Sequence, residues 1–225
     1  MLRYIFEVPS SAPVVGLYLE SGCVRIRNII KARRINFLHH LANLKTDEME
    51  YKFFKCQWDH PSQNDWTETV KSDLADIGLP VSLDFLKSKS KNVFKEIVKR
   101  KIRIYEFSNL MQERKSKTIN LKYTHLEMQE YLELKNMNKQ EAIILFKFRT
   151  RMTPFGENFK AGKVDTFCPL CQSHRDSQEE SFNCVALRKM VNIKGKYSNI
   201  FKNNFSEDLI KSLRNIYTYR IEFNK

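Results

Sequence analysis

Three thiols, one imidazole and a run of carboxylates fall within residues 165–184, DTFCPLCQSHRDSQEESFNC. In Cys168-Pro169-Leu170-Cys171 the two-residue gap lets both sulfurs reach one ion from a tight turn, and zinc takes four such N or S donors in a tetrahedron. Asp176 and Glu179 have capping-box spacing, which predicts a helix starting near Ser177. On that helix positions 180 and 184 share a face at i, i+4. Cys184 supplies a third thiolate there. The fourth donor is either Glu180 or His174. Glu180 would bind through a carboxylate oxygen, a less usual ligand of structural zinc. His174 would give C-x-x-C-x-x-H-x9-C, and needs the loop to fold tightly back behind the knuckle. A C-x-x-C can also be redox-active, but no thioredoxin-like βαβ pattern surrounds this one. A site that has lost one ligand loses much of the folding energy the ion supplies.

Other chemistry is thinly represented. No Asp-Asp pair occurs, so the carboxylates with which a polymerase holds two metal ions are missing. There is no Ser-His-Asp order and no Gly-rich phosphate loop. Asp47-Glu48 and Glu207-Asp208 read as helix-end acids. His39-His40 has no Cys or acid close by in sequence, and Cys56 with His60 is an isolated i, i+4 pair at a helix end. The expectation is a non-enzymatic chain without a small-molecule substrate.

Charge points to partners. Lys and Arg number 39 against 26 Asp and Glu, a formal charge of +13. Nucleic acid is the commonest polyanionic partner for such a surplus, an anionic membrane surface the second. Arg25, Arg27, Lys31, Arg33 and Arg34 form a basic stripe beside the apolar residues Ile26, Ile30, Phe37, Leu41 and Leu44, which predicts a helix over 24–44 with its apolar side on the core and its cations available to phosphates. Arg149 and Arg151, just ahead of the knuckle, are candidates to grip the same strand. Phe146, Phe148, Phe155 and Phe159 fit core positions better than base-stacking ones. Nothing indicates base-specific readout. No stretch of about 18 apolar residues occurs, so no membrane span is expected. The apolar segment 12–19 is short and runs into Glu20, unlike a secretory signal. Five cysteines without such a signal argue against a disulfide framework and for a nuclear or cytoplasmic protein.

The elements that must position these residues read as helices. Six Gly and six Pro in 225 residues leave few turns. A helix over 14–21 ends at Gly22. Pro61 breaks another, and Ser62–Asp65 has capping-box spacing for the next, which Gly78 and Pro80 end. Ser82 caps a stretch from 83 to 115 without Gly or Pro, one long helix or two. Val93, Phe94, Ile97, Val98, Ile102 and Ile104 mark its buried side, and Lys95, Lys99, Arg100, Lys101 and Arg103 make it basic. Asn138 and Glu141 box the start of EAIILFKFRTRM, and Ser206 caps a last amphipathic helix. The expected fold is all-α, with a basic helical domain over 1–155, a small irregular zinc-knuckle-like module over 156–195 and an amphipathic helix over 196–225.

Several of these motifs occur together in a known setting. Phe148-Arg149-Thr150-Arg151-Met152, Asn158-Phe159-Lys160, Cys168–Cys171 and Asp176-Ser177-Gln178-Glu179 resemble the region downstream of the polymerase in non-LTR retrotransposon proteins. GLYLESGCVRIRNIIKARRINFLHHL (16–41) and EMQEYL (127–132) are similar to segments of the same region. The resemblance spans most of residues 1–190. It implies a post-polymerase piece whose zinc knuckle helps to bind element RNA or target DNA, with Cys168, Cys171 and Cys184 as ligands. The family's His falls on Glu180, so the motif is broken at that position.

Overall fold

The computed structural model describes residues 2–10, 12–62, 65–115, 123, 125–134, 137–159, 167–202 and 205–223. Among them the fold is all-α. The helices are α1 (Leu2–Ile5), α2 (Val14–Ser21), α3 (Ile26–Ala42), α4 (Met49–Asp59), α5 (Trp66–Asp76), α6 (Leu83–Lys87), α7 (Lys91–Arg114), α8 (Lys139–Arg149), α9 (Gly156–Phe159), α10 (Gln178–Ser181), α11 (Val185–Met190) and α12 (Glu207–Phe223). Extended backbone pairs once among the described residues, in an antiparallel bridge between Phe167 and Arg175.

Helix ends follow side-chain chemistry. Asp65 accepts from the Glu68 N–H at the start of α5, and Ser82 from Phe85 at the start of α6. Asn138 and Glu141 form a reciprocal capping box on α8. Ser206 Oγ accepts from Leu209 N–H ahead of α12. After α5 the chain turns through Gly78 at φ +65°, the left-handed geometry that glycine tolerates just past a helix. The segment 83–115 is two helices, because the chain leaves α6 at Ser88 and re-enters a helix at Lys91.

The chain forms two compact units. One comprises Met1–Ser21, Arg114–Tyr123 and Glu127–Lys225, the other Gly22–Glu113 with Thr124–Leu126. This partition runs differently from a division at 155 and 195. In the first unit α8 packs on α12, and Phe146, Phe148, Phe182, Leu213 and Ile216 share one core with the thiols Cys168 and Cys184. Phe6 stacks on Phe146 with ring centroids 4.0 Å apart. Phe155 is buried there too, so these phenylalanines are core residues, as their spacing suggests; the Phe159 side chain and Lys160 lie outside the described part. In the second unit α3 packs against α4, α5 and α6. Its core holds Ile35, Leu38, Val70, Leu74, Leu86, Phe94 and Val98.

One face is assigned differently from its expectation. The buried side of α3 carries Asn28, Lys31, Ile35, Leu38, His39 and Ala42. Ile26, Ile30 and Phe37, expected in the core, are 69 %, 46 % and 52 % exposed. The reason is pairing. Lys31 meets Asp73 and Asp76 of α5, Asn28 donates to Glu106 of α7, and His39 bonds the Lys89 carbonyl at 2.9 Å while stacking on Phe94. Satisfied polar groups can occupy a buried face at little cost. In α7, Phe94, Val98, Ile102, Glu106 and Leu110 form the buried row, whereas Val93 and Ile104 are exposed.

Candidate metal centre

Cys168, Cys171 and Cys184 come together. Their sulfurs all lie within 4.8 Å of one another, and those of Cys168 and Cys184 are 3.9 Å apart. A tetrahedral ion with M–S bonds of about 2.3 Å separates its sulfurs by roughly 3.8 Å, so this spacing suits one ion held by three thiolates. Cys168 and Cys184 are buried and Cys171 is half-buried. The local chain explains the gathering. The Gln172 N–H closes the knuckle on the Cys168 carbonyl at 2.8 Å, with Gln172 at φ +52°. The strand-like return then bonds the Cys168 N–H to the His174 carbonyl at 2.7 Å, beside the Phe167–Arg175 bridge.

Cys184 arrives by a different route from the one its spacing suggests. The helix that begins after Ser177 is a single turn, α10, ended at Ser181. Cys184 is the N-cap of the next helix, α11, and its sulfur accepts the Leu187 N–H at 3.4 Å. Glu180 and Cys184 therefore do not share one continuous helical face. The capping pair also differs: Ser177 caps α10 by accepting from the Glu180 N–H. Asp176 is occupied elsewhere, accepting from Arg220 at 2.6 and 2.7 Å and from the Gly156 N–H at 2.7 Å.

Among the described residues no imidazole or carboxylate joins the three sulfurs within that 4.8 Å group. His174 and Glu180 nevertheless both line the small cavity that Cys168 and Cys184 bound. His174 Nδ1 faces Glu180 Oε2 at 3.9 Å. Burial pushes the Cys184 thiol up to about 11, while the neighbouring Ser173 N–H holds the Cys171 thiol below its ordinary value. Thiolates are the binding form, so loading an ion releases protons here. The donor set, soft sulfur in a knuckle turn, fits zinc and other thiophilic ions.

Most of the arginines and lysines singled out in the sequence are engaged by carboxylates. Arg25 meets Glu106 at 3.2 Å and Glu113 at 2.5 Å, and Arg27 lies 4.0 Å from Glu113. Lys31 pairs with Asp73 and Asp76, and Arg34 with Asp73 at 2.6 Å. Arg33 is exposed. Arg149 is buried, so it braces the core where a phosphate grip was expected. Its guanidinium bonds Glu20, the Gln129 side chain and the Ile200 carbonyl. Tyr131 and Tyr123 also donate to Glu20, and burial, reinforced by that carboxylate, holds both phenols well above their usual range. Arg151 sits at φ +57° and pairs with Glu179.

A row of exposed cations lies on a helix noted for its charge but not assigned a site. Lys91, Lys95, Lys99 and Arg103 of α7 are exposed at four-residue intervals, with Arg100 beside them. The signal was their i, i+4 spacing, flanking a Phe94-Val98-Ile102 row. Lys99 reaches Glu96 at 3.9 Å and Arg103 the Leu126 carbonyl at 3.5 Å. No family model, curated protein or solved structure matches the chain. None of the described helices is long and apolar enough to cross a membrane.

Proposed function

We propose that this chain is a non-catalytic nucleic-acid-binding piece of a retrotransposon-derived reverse transcriptase protein, with a zinc ion at Cys168, Cys171 and Cys184 bracing its cysteine module. The observation that carries the binding role is the exposed row Lys91, Lys95, Lys99 and Arg103 on α7. That row is about 18 Å long, an axial length of duplex over which each strand carries about five phosphates. It is a better phosphate track than the α3 stripe, where a phosphate would have to displace Asp73, Asp76, Glu106 or Glu113. The net charge of +13 favours association with either RNA or DNA. A nuclear or cytoplasmic location goes with that role.

Fluorescence anisotropy with a labelled RNA and a labelled DNA oligonucleotide, repeated across salt concentrations, tests the proposal. Affinity is expected to fall linearly on a log–log plot, and Lys95→Ala and Lys99→Ala each to reduce the slope by about 1. Weak binding that ignores salt would overturn it. That result would favour a helical protein-interaction module, a reading supported by the outward row Ile26, Ile30 and Phe37 on α3.

A further inference from the structure

Glu180 has a neighbour of its own in His174. Ligation by His174 requires the chain to turn back immediately after Cys171, and it does so: the Cys168 N–H bonds the His174 carbonyl at 2.7 Å, and Phe167 bridges Arg175. His174 is thereby held beside Cys168 by the backbone. Its ring presents Nδ1 to Glu180 Oε2 at 3.9 Å, which a shift of less than about 1 Å brings to hydrogen-bond length. Glu180 is itself placed by the Ser177 cap of α10, which accepts the Glu180 N–H at 3.1 Å. Both side chains line the cavity bounded by Cys168 and Cys184.

We infer that the fourth metal ligand is His174, through Nε2, and that Glu180 is a positioning residue which accepts the Nδ1 proton. The inference rests on the metal-holding part of the proposed function. A carboxylate on Nδ1 fixes the tautomer that leaves Nε2 free to bind, orients the ring and raises its basicity. Imidazole is also a more usual ligand of structural zinc than carboxylate. The two candidates thus act together, the imidazole coming from the knuckle loop and the carboxylate from α10.

The test uses the full chain with zinc added as the sulfate. One zinc per chain is expected, and its X-ray absorption spectrum should show three sulfurs at about 2.3 Å and one imidazole nitrogen at about 2.0–2.1 Å. His174→Ala should remove the imidazole signature. Glu180→Gln should retain it while weakening zinc affinity about 10–100-fold. A His174 Nδ1–H resonance protected in the unmutated, zinc-loaded chain should be lost to solvent exchange in Glu180→Ala. His174 and Glu180 side chains are 39 % and 44 % exposed, so these substitutions leave the core alone. An oxygen in place of the nitrogen in the unmutated chain, or unaltered affinity in Glu180→Gln, overturns the assignment while the thiolate site stands. Absence of zinc from the unmutated chain overturns both.

Discussion

The residues of the FRTRM and DSQE motifs illustrate how a motif can be structural without being inert. Arg149 is 5 % exposed, its partner Glu20 not at all, and Tyr131 shares the same carboxylate. Gln178 is equally buried and donates to the Phe148 carbonyl at 2.6 Å. Asp176 and Arg220 form a second buried pair. Each charge was brought out of water at a cost its partner offsets, so a single removal strands the other charge. Arg149→Met or Glu20→Gln is expected to lower stability by about 3–5 kcal/mol. The double replacement Glu20→Gln with Arg149→Met should cost less than the two single changes summed, because no charge is left stranded. Urea denaturation of all the variants checks this. Additive losses would mean that the two side chains are not coupled.

Helix ends and helix faces differed in how far they were legible. Four ends were read well, since a cap is local: Asn138 with Glu141, Ser82, Ser206 and Gly78 lie within a few residues of the groups they serve. Two starts are displaced, α5 being capped by Asp65 in place of Ser62 and α10 by Ser177 in place of Asp176. Faces were read less well. The apolar periodicity of α3 pointed to Ile26, Ile30 and Phe37, but its buried side is chosen by Asp73 and Glu106, about forty and eighty residues further on, which take up Lys31 and Asn28. The metal centre was legible as three thiols and two candidate donors. The break between α10 and α11 was not, because nothing between Ser181 and Cys184 carries a Gly or Pro signal. Gly78 offers a test at this scale. A Cβ there would meet nothing closer than Lys101 Nζ at 3.8 Å, so there is room for it, and only the φ of +65° opposes a side chain. Gly78→Ala is therefore expected to cost about 1–2 kcal/mol, read as a lower thermal midpoint, while Gly78→Asn should cost less because asparagine tolerates that geometry better. Equal losses would point to crowding as the cause.

Across the whole molecule, the three thiols belong to only one of two cores. Cys168 and Cys184 pack with Phe146, Phe182, Leu187 and Leu213, and the core around Leu38, Leu74 and Val98 contains none of the three. An ion that binds the folded form alone stabilises it by mass action, by about 2.7 kcal/mol at a hundredfold excess over its dissociation constant. That stabilisation enters through the unit holding the thiols. Local opening is a property of cooperative units, so its consequences can be located by hydrogen exchange. Zinc removal with a chelator is expected to speed exchange at the Phe182, Leu187 and Leu213 amides while leaving those of Leu38, Leu74 and Val98 near their original rates. Zinc returned in stoichiometric amount should restore protection, and Cys184→Ser should abolish that response. A uniform loss of protection across both sets would mean that the two cores open as one, and no change in either would mean that the thiols hold no ion that matters to folding.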